Sequence, residues 1–250
     1  MYMHTYGQPS APAVVLLHPM GITAEKLYAI IGRKLKGSYY LLIPDMGNHG
    51  REESDFLSAE DEAESICKYL KAHGIIDIAM VYGASMGAAV ALRMLSHSEI
   101  RVRGLYLDGA PIAKLGWFMS RVFGPVLIWQ KGIYEKNDRK KLSEFIARWG
   151  EDLNDHMRET FIRFSNTSIR NIAQACVKGN GVSIPEVLQK HTWMEWGESE
   201  EYAKRSPSEA KRLYPSARIT VRPGFNHCEY MVKKNADYVS GIEEAIKAAL

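Results

Sequence analysis

Short, unbroken apolar runs recur along this 250-residue chain, each followed by a stretch with helical spacing. That alternation constrains the fold more than any other feature. The first run, Ala13-Val14-Val15-Leu16-Leu17, is fenced by prolines upstream and by His18-Pro19 downstream. Being short, continuous and β-branched, it predicts a strand buried on both faces. A helix is expected from about Thr23 to Lys36, then a strand at Tyr39 to Ile43 and a turn-rich loop, Asp45-Met46-Gly47-Asn48-His49-Gly50. Ala59, Ala63, Ile66 and Leu70 fall on one face of a helix over 58–73. A strand at Ile75 to Tyr82, a helix at Ser85 to Leu95 and a strand at Val102 to Leu107 follow. Such alternation predicts an α/β protein, a mostly parallel sheet with helices on both faces.

The rhythm stops at about Pro111. From there to Pro185 only helical patterns occur, with several aromatic residues and a basic patch at Lys136 to Lys141. It resumes with strands at Thr192 to Trp196 and Ala217 to Val221, a helix near Pro207 to Leu213 between them, and a closing helix from Asp237 to Leu250. The expected organisation is a core of residues 1–110 and 186–250 interrupted by a helical cap, or lid, over 111–185. The sheet should hold six or seven strands.

Composition narrows the classes of function. Lys plus Arg number 32 and Asp plus Glu 29, a net charge of +3. That near-balance argues against a nucleic-acid partner, which calls for a basic stripe. Three scattered cysteines, Cys67, Cys176 and Cys228, are too few for a disulfide framework and suit a reducing compartment. The chain holds no CxxC pair and no HExxH, so neither a metal nor a cofactor is expected. No apolar run is long enough to span a bilayer. The expected setting is therefore cytoplasmic, and the oligomeric state is not legible.

Gly83-Ala84-Ser85-Met86-Gly87 is the segment richest in chemistry. A GxSxG string alone is weak, but this one directly follows a strand and opens a helix rich in small residues (Ala88, Ala89, Ala91). A serine on so tight a turn needs neighbours without bulk, and the turn lifts its hydroxyl above the sheet edge beside a helix N-terminus. A serine hydroxyl also needs a base. Of the eight histidines, His227 is the best placed, in a loop after the last strand. The base in turn needs a carboxylate to hold its tautomer. The loop Gly197-Glu198-Ser199-Glu200-Glu201 offers Glu200, with Glu198 beside it, and Asp108 at the end of the fourth strand is a rival. Donors for a tetrahedral oxyanion should be the backbone N–H of Met86 and that of Met20, because Pro19 has none. His18 is expected to brace loop backbone beneath the site.

These segments together resemble the α/β-hydrolase-fold serine hydrolases, of the compact bacterial carboxylesterase or lipase type with a helical cap. The likeness rests on His18-Pro19, on Asp45 to Gly50 as a D-x-x-G-H-G-like loop, on the Ser85 turn, on Gly197 to Glu200 and on His227. It implies Ser85 as nucleophile, Glu200 as acid, His227 as base, and Met20 and Met86 as oxyanion donors. Pro19, Asn48 and Asn226 stand where the family usually has glycine, and Glu200 where aspartate is commoner. The function implied is cofactor-free hydrolysis of small-molecule carboxylic esters through an acyl-enzyme. An apolar cap stretch (Trp117, Phe118, Met119, Phe123, Val126, Leu127, Ile128 and Trp129) suggests a hydrophobic acyl or alcohol group. A C–C bond hydrolase or a thioesterase would use the same three residues. A ligand-binding protein on the same fold is the non-enzymatic alternative.

Overall fold

A computed structural model describes all 250 residues. In chain order the elements are β1 (Tyr2–Tyr6), β2 (Ala13–Leu17), α1 (Ala24–Ile30), β3 (Tyr40–Asp45), α2 (Ala59–Ala72), β4 (Asp77–Ala84), α3 (Met86–Met94), β5 (Arg101–Val102) and β6 (Leu105–Asp108). Four helices follow without a strand: α4 (Trp117–Lys136), α5 (Arg139–Trp149), α6 (Glu151–Arg163) and α7 (Asn166–Val177). Then come α8 (Glu186–Gln189), β7 (Thr192–Gly197), α9 (Ser206–Leu213), β8 (Arg218–Arg222), α10 (Glu229–Lys233) and α11 (Asn235–Ala249).

The strands form one eight-stranded sheet in the order β1-β3-β2-β4-β6-β7-β8, with the short β5 paired to β4. Only β1 runs antiparallel to its neighbour. The unbroken apolar character of β2 follows from its position in the middle of this sheet. Val15 and Leu17 enter the core beneath α2 and α3, and Val14 and Leu16 enter the core on the α1 and α11 face. With both faces covered, neither parity of the strand can be polar. The register aligns the C-terminal strand ends, pairing Leu17 with Gly83, Ala84 with Asp108 and Asp108 with Glu195. The segments after β2, β4, β6 and β7 therefore emerge along one edge, where an open parallel sheet collects its ligands.

Three local expectations are corrected. The helix expected over Thr23–Lys36 stops at Ile30 and is followed by a single tight turn at Gly32–Lys34, where Gly32 packs directly on the Tyr28 ring. The strand expected over Val102–Leu107 is split at Arg103-Gly104. There the backbone passes so close to Met80 and Ala249 that a Cβ on Gly104 would lie 2.8 Å from each. That split raises the strand count from the expected six or seven to eight. No helix is long and apolar enough to cross a membrane.

Candidate active site

β4 ends at Ala84 and α3 begins at Met86, so Ser85 alone makes the turn between them. Its backbone lies at φ 53°, ψ −112°, a conformation costly for any residue with a side chain. Two contacts hold it there. The Ser85 N–H donates to the Asp108 carbonyl at 2.8 Å. The flanking glycines let the helix sit directly on the strand, since a Cβ at Gly83 would lie 2.5 Å from the Gly87 carbonyl oxygen and one at Gly87 would strike the Leu17 carbonyl. The hydroxyl is not spent on capping α3. It lies 2.8 Å from Nε2 of His227.

His227 reaches the serine from the loop after β8. Its Nδ1 faces the Oε2 of Glu200, and the other Glu200 oxygen accepts the Gly197 N–H at 2.7 Å. Facing a carboxylate, Nδ1 carries the ring proton, which leaves Nε2 as the acceptor for the Ser85 hydroxyl. Burial alone would lower the His227 pKa. The charge of Glu200 and its hydrogen bond outweigh that, so the pKa is raised above the usual value. Sequence reasoning missed Gly109, which follows β6 at φ +58°. A Cβ there would lie 2.7 Å from Nδ1 of His227, so the ring occupies space that only glycine leaves open. The signal was an Asp-Gly pair at a strand end facing the site.

The two rival carboxylates are engaged elsewhere. Asp108 is buried and its Oδ2 accepts from the Tyr238 hydroxyl at 2.8 Å, which in turn meets Tyr82 at 2.9 Å. Burial, with Glu195 and Glu200 nearby, pushes the Asp108 pKa well above the carboxylate range. Glu198 is exposed and its Oε2 accepts the Gly224 N–H at 3.1 Å.

Opposite His227, two buried histidines brace the loop that carries Met20. His18 Nδ1–H donates to the Pro19 carbonyl at 3.0 Å and Nε2 accepts the Met46 N–H at 3.1 Å. His49 does the same one loop away, donating to the Gly47 carbonyl at 2.9 Å and accepting the Gly21 N–H at 3.1 Å. Burial lowers the pKa of His18 to about 4 and drives that of His49 well down, so both rings stay neutral. Asn48 adopts φ 65°, a left-handed conformation that asparagine tolerates better than most residues. Its Oδ1 accepts the Ser165 N–H at 2.7 Å, tying this loop to α7. The N–H of Met86 is a first-turn amide of α3 with no acceptor inside the helix.

Ser85, His227, Glu200, Pro19 and Met20 line a cavity of about 290 Å³. Much of the remaining wall comes from α4 to α7 and is largely apolar, with Phe123, Leu127, Trp149, Met157, Phe161 and Ile172, while Ile22, Tyr202, Cys228 and Met231 add apolar surface from the core. Gln130 and Arg148 add the polar side chains of that wall. Of the eight apolar residues picked out between 117 and 129, only Phe123 and Leu127 face this cavity, while Trp117, Phe118, Val126 and Trp129 face solvent. No cluster of three His, Cys, Asp or Glu side chains has the geometry of a metal site.

No family model matches the chain. Lipase 3 of Moraxella sp. (strain TA144) is 22% identical over 254 residues, spanning 94% of this chain and 78% of that protein. A Desulfitobacterium hafniense protein described as belonging to the alpha/beta hydrolase family superposes with a TM-score of 0.73 at 20% identity, covering 97% of this chain and 99% of that one. The chain has the α/β-hydrolase fold. An esterase from Exiguobacterium antarcticum shares the fold with a TM-score of 0.78 at 18% identity, over 98% of this chain and 95% of the other. A thermophilic esterase from Thermogutta terrifontis gives 0.75 at 14% identity, over 99% and 93%.

Proposed function

We propose that this chain is a serine carboxylic-ester hydrolase acting on small-molecule esters, with residues 111–185 as its cap. The observation that carries the proposal is the relay from Ser85 Oγ to His227 Nε2 at 2.8 Å, continued from Nδ1 to Glu200, at the floor of an apolar cavity. The esterase and lipase names among its structural and sequence relatives support the same reading.

In the proposed cycle the Ser85 oxygen attacks the ester carbonyl while its proton passes to Nε2 of His227. The tetrahedral oxyanion takes hydrogen bonds from the backbone N–H groups of Met20 and Met86. Collapse breaks the bond to the alcohol oxygen, which leaves with the proton from Nε2. Water then attacks the acyl-Ser85 ester by the same route, releasing the carboxylic acid and restoring the hydroxyl. The Glu200 carboxylate holds the Nδ1–H tautomer and offsets the imidazolium charge. A cavity of about 290 Å³ with apolar walls suits small to medium hydrophobic acyl or alcohol groups. Three buried, unpaired cysteines fit a cytoplasmic setting.

A fluorophosphonate tests the assignment directly. It should add once, at Ser85, and Ser85→Ala should abolish labelling and lower kcat by roughly 10⁴–10⁶. Mapping of the adduct to any other serine overturns it.

A further inference from the structure

The outer face of α4 is built unlike the surface of an ordinary soluble globule. Trp117 is 71% exposed, Phe118 65%, Trp129 59% and Val126 47%, all on one helix. Trp117, Phe118, Arg121, Pro125 and Trp129 recur on one flank at helical spacing. Phe123, Leu127 and Gln130 occupy the opposite flank and line the cavity over Ser85. The apolar content of the outer flank therefore cannot be a core face, because the helix already spends its other side on the cavity. Exposed apolar patches of this kind mark interaction surfaces.

Charge says what lies against it. Residues 111–141 hold seven Lys and Arg and two acids, a net +5, which exceeds the +3 of the entire chain. Both acids are already taken, Glu135 by Lys131 and Asp138 by Lys141, and the nearby Glu201 is taken by Lys204. Lys114, Arg121 and Arg205 pair with none of them. They surround a cavity of about 510 Å³ together with Trp117 and Ser120, and the Arg121 guanidinium lies 4.8 Å over the Trp117 ring. Aromatic rings beside unpaired cations suit the headgroup region of a bilayer. A second copy of the chain suits it poorly, since a two-fold contact through α4 would press one +5 segment against another.

We infer that the outer face of α4 is a peripheral docking surface for an anionic phospholipid bilayer. Trp117, Phe118 and Trp129 enter the interface, and Lys114, Arg121 and Arg205 hold lipid phosphates. Docking by this face would set the helix that roofs the cavity against the membrane without any spanning segment.

The test is co-sedimentation of the full chain with vesicles, read with tryptophan fluorescence. Vesicles of phosphatidylcholine mixed equally with phosphatidylglycerol should bind the chain and shift its emission to the blue. Pure phosphatidylcholine should bind it far less, and high salt should weaken the anionic binding. The triple variant Lys114→Gln/Arg121→Gln/Arg205→Gln should lose roughly fivefold in partitioning per cation removed. Trp117→Ala/Phe118→Ala/Trp129→Ala should lose more than about tenfold and also the blue shift. Both variants should keep wild-type circular dichroism and turnover of a water-soluble ester, and binding is read independently of activity. Equal binding to neutral and anionic vesicles, or wild-type binding by both folded variants, overturns the inference. So does a concentration-dependent dimer abolished by the aromatic variant, which would give this face to a second copy.

Discussion

Glu200→Gln is the most discriminating single change, because glutamine keeps the shape of the side chain and alters only what its two end atoms can do. In the native site one carboxylate oxygen accepts from Gly197 N–H and the other from His227 Nδ1–H. Glutamine has one acceptor for these two donors. If its oxygen stays on Gly197, its NH₂ faces Nδ1 and the imidazole must shift its proton to Nε2. The atom meant to receive the serine proton then already carries one. If the amide turns over, NH₂ meets the Gly197 N–H in a buried site, and two donors oppose each other without water. Either arrangement removes the negative charge that offsets the imidazolium. The corresponding change in the best-studied triad lowers kcat by about 10⁴, equivalent to about 5 kcal/mol of barrier. KM should move little.

A pH profile separates this loss from simple misfolding. Glu200 raises the His227 pKa, and the proposed cycle needs neutral His227, so the acidic limb of kcat/KM in the wild type should lie above pH 6.5. Without the carboxylate that limb should move to lower pH. The assay is hydrolysis of a short-chain p-nitrophenyl ester between pH 5 and 9 by wild type, Glu200→Gln and Asp108→Asn. A Glu200→Gln enzyme with wild-type kcat and an unmoved limb would refute the reasoning. Collapse of activity in a folded Asp108→Asn would do so equally.

Other outcomes follow from the same geometry. Gly109→Ala should leave the chain folded but displace the His227 ring, cutting kcat by about 10² or more; wild-type kcat would show that the ring does not need that space. Gly87→Ala drives a Cβ into the backbone after β2 and should cost about 2–3 kcal/mol, read by urea unfolding. His18 is neutral when folded, with a pKa of about 4 against the usual 6.5, so the unfolded chain takes up the proton first. Stability should fall as pH drops from about 6.5 towards 4, by roughly 3 kcal/mol from this group, and His18→Asn should flatten that slope in thermal melts. Asp108 has the opposite sense: its raised pKa means stability lost as pH rises above 3.8, so Asp108→Asn should be no less stable than wild type at pH 8.

Much of this was legible in the sequence, and the exceptions share a cause. Strands such as β2 and β4 announce themselves because both faces are buried, and the Ser85 turn does so because tight strand-to-helix packing admits only small neighbours. In the sequence Glu200 shares its loop with Glu198, and Asp108 ends a strand as a rival. What separates the three is tertiary: Tyr238 arrives on α11 to engage Asp108, and Gly224 draws Glu198 outward. In α4 the helical period was readable, but which flank faces the cavity depends on how the helix lies across the sheet. That is why Trp117 and Trp129 could be mistaken for cavity wall. Gly109 needed the position of His227, which no local pattern encodes.

On the proposed assignment, the clamp on Ser85 also fixes when in folding the serine becomes reactive. Its strained backbone is held by the Asp108 carbonyl, so the turn cannot be completed before β4 and β6 have paired. His227 arrives from a loop 142 residues downstream, after β8. A growing chain that has emerged only as far as β7 thus carries an inert serine, and reactivity appears when the far edge of the sheet closes. Covalent labelling at Ser85 would serve as a clock for the closing of that edge. On refolding from urea it should lag behind the recovery of helical circular dichroism, because helices form from neighbours in sequence and this site does not.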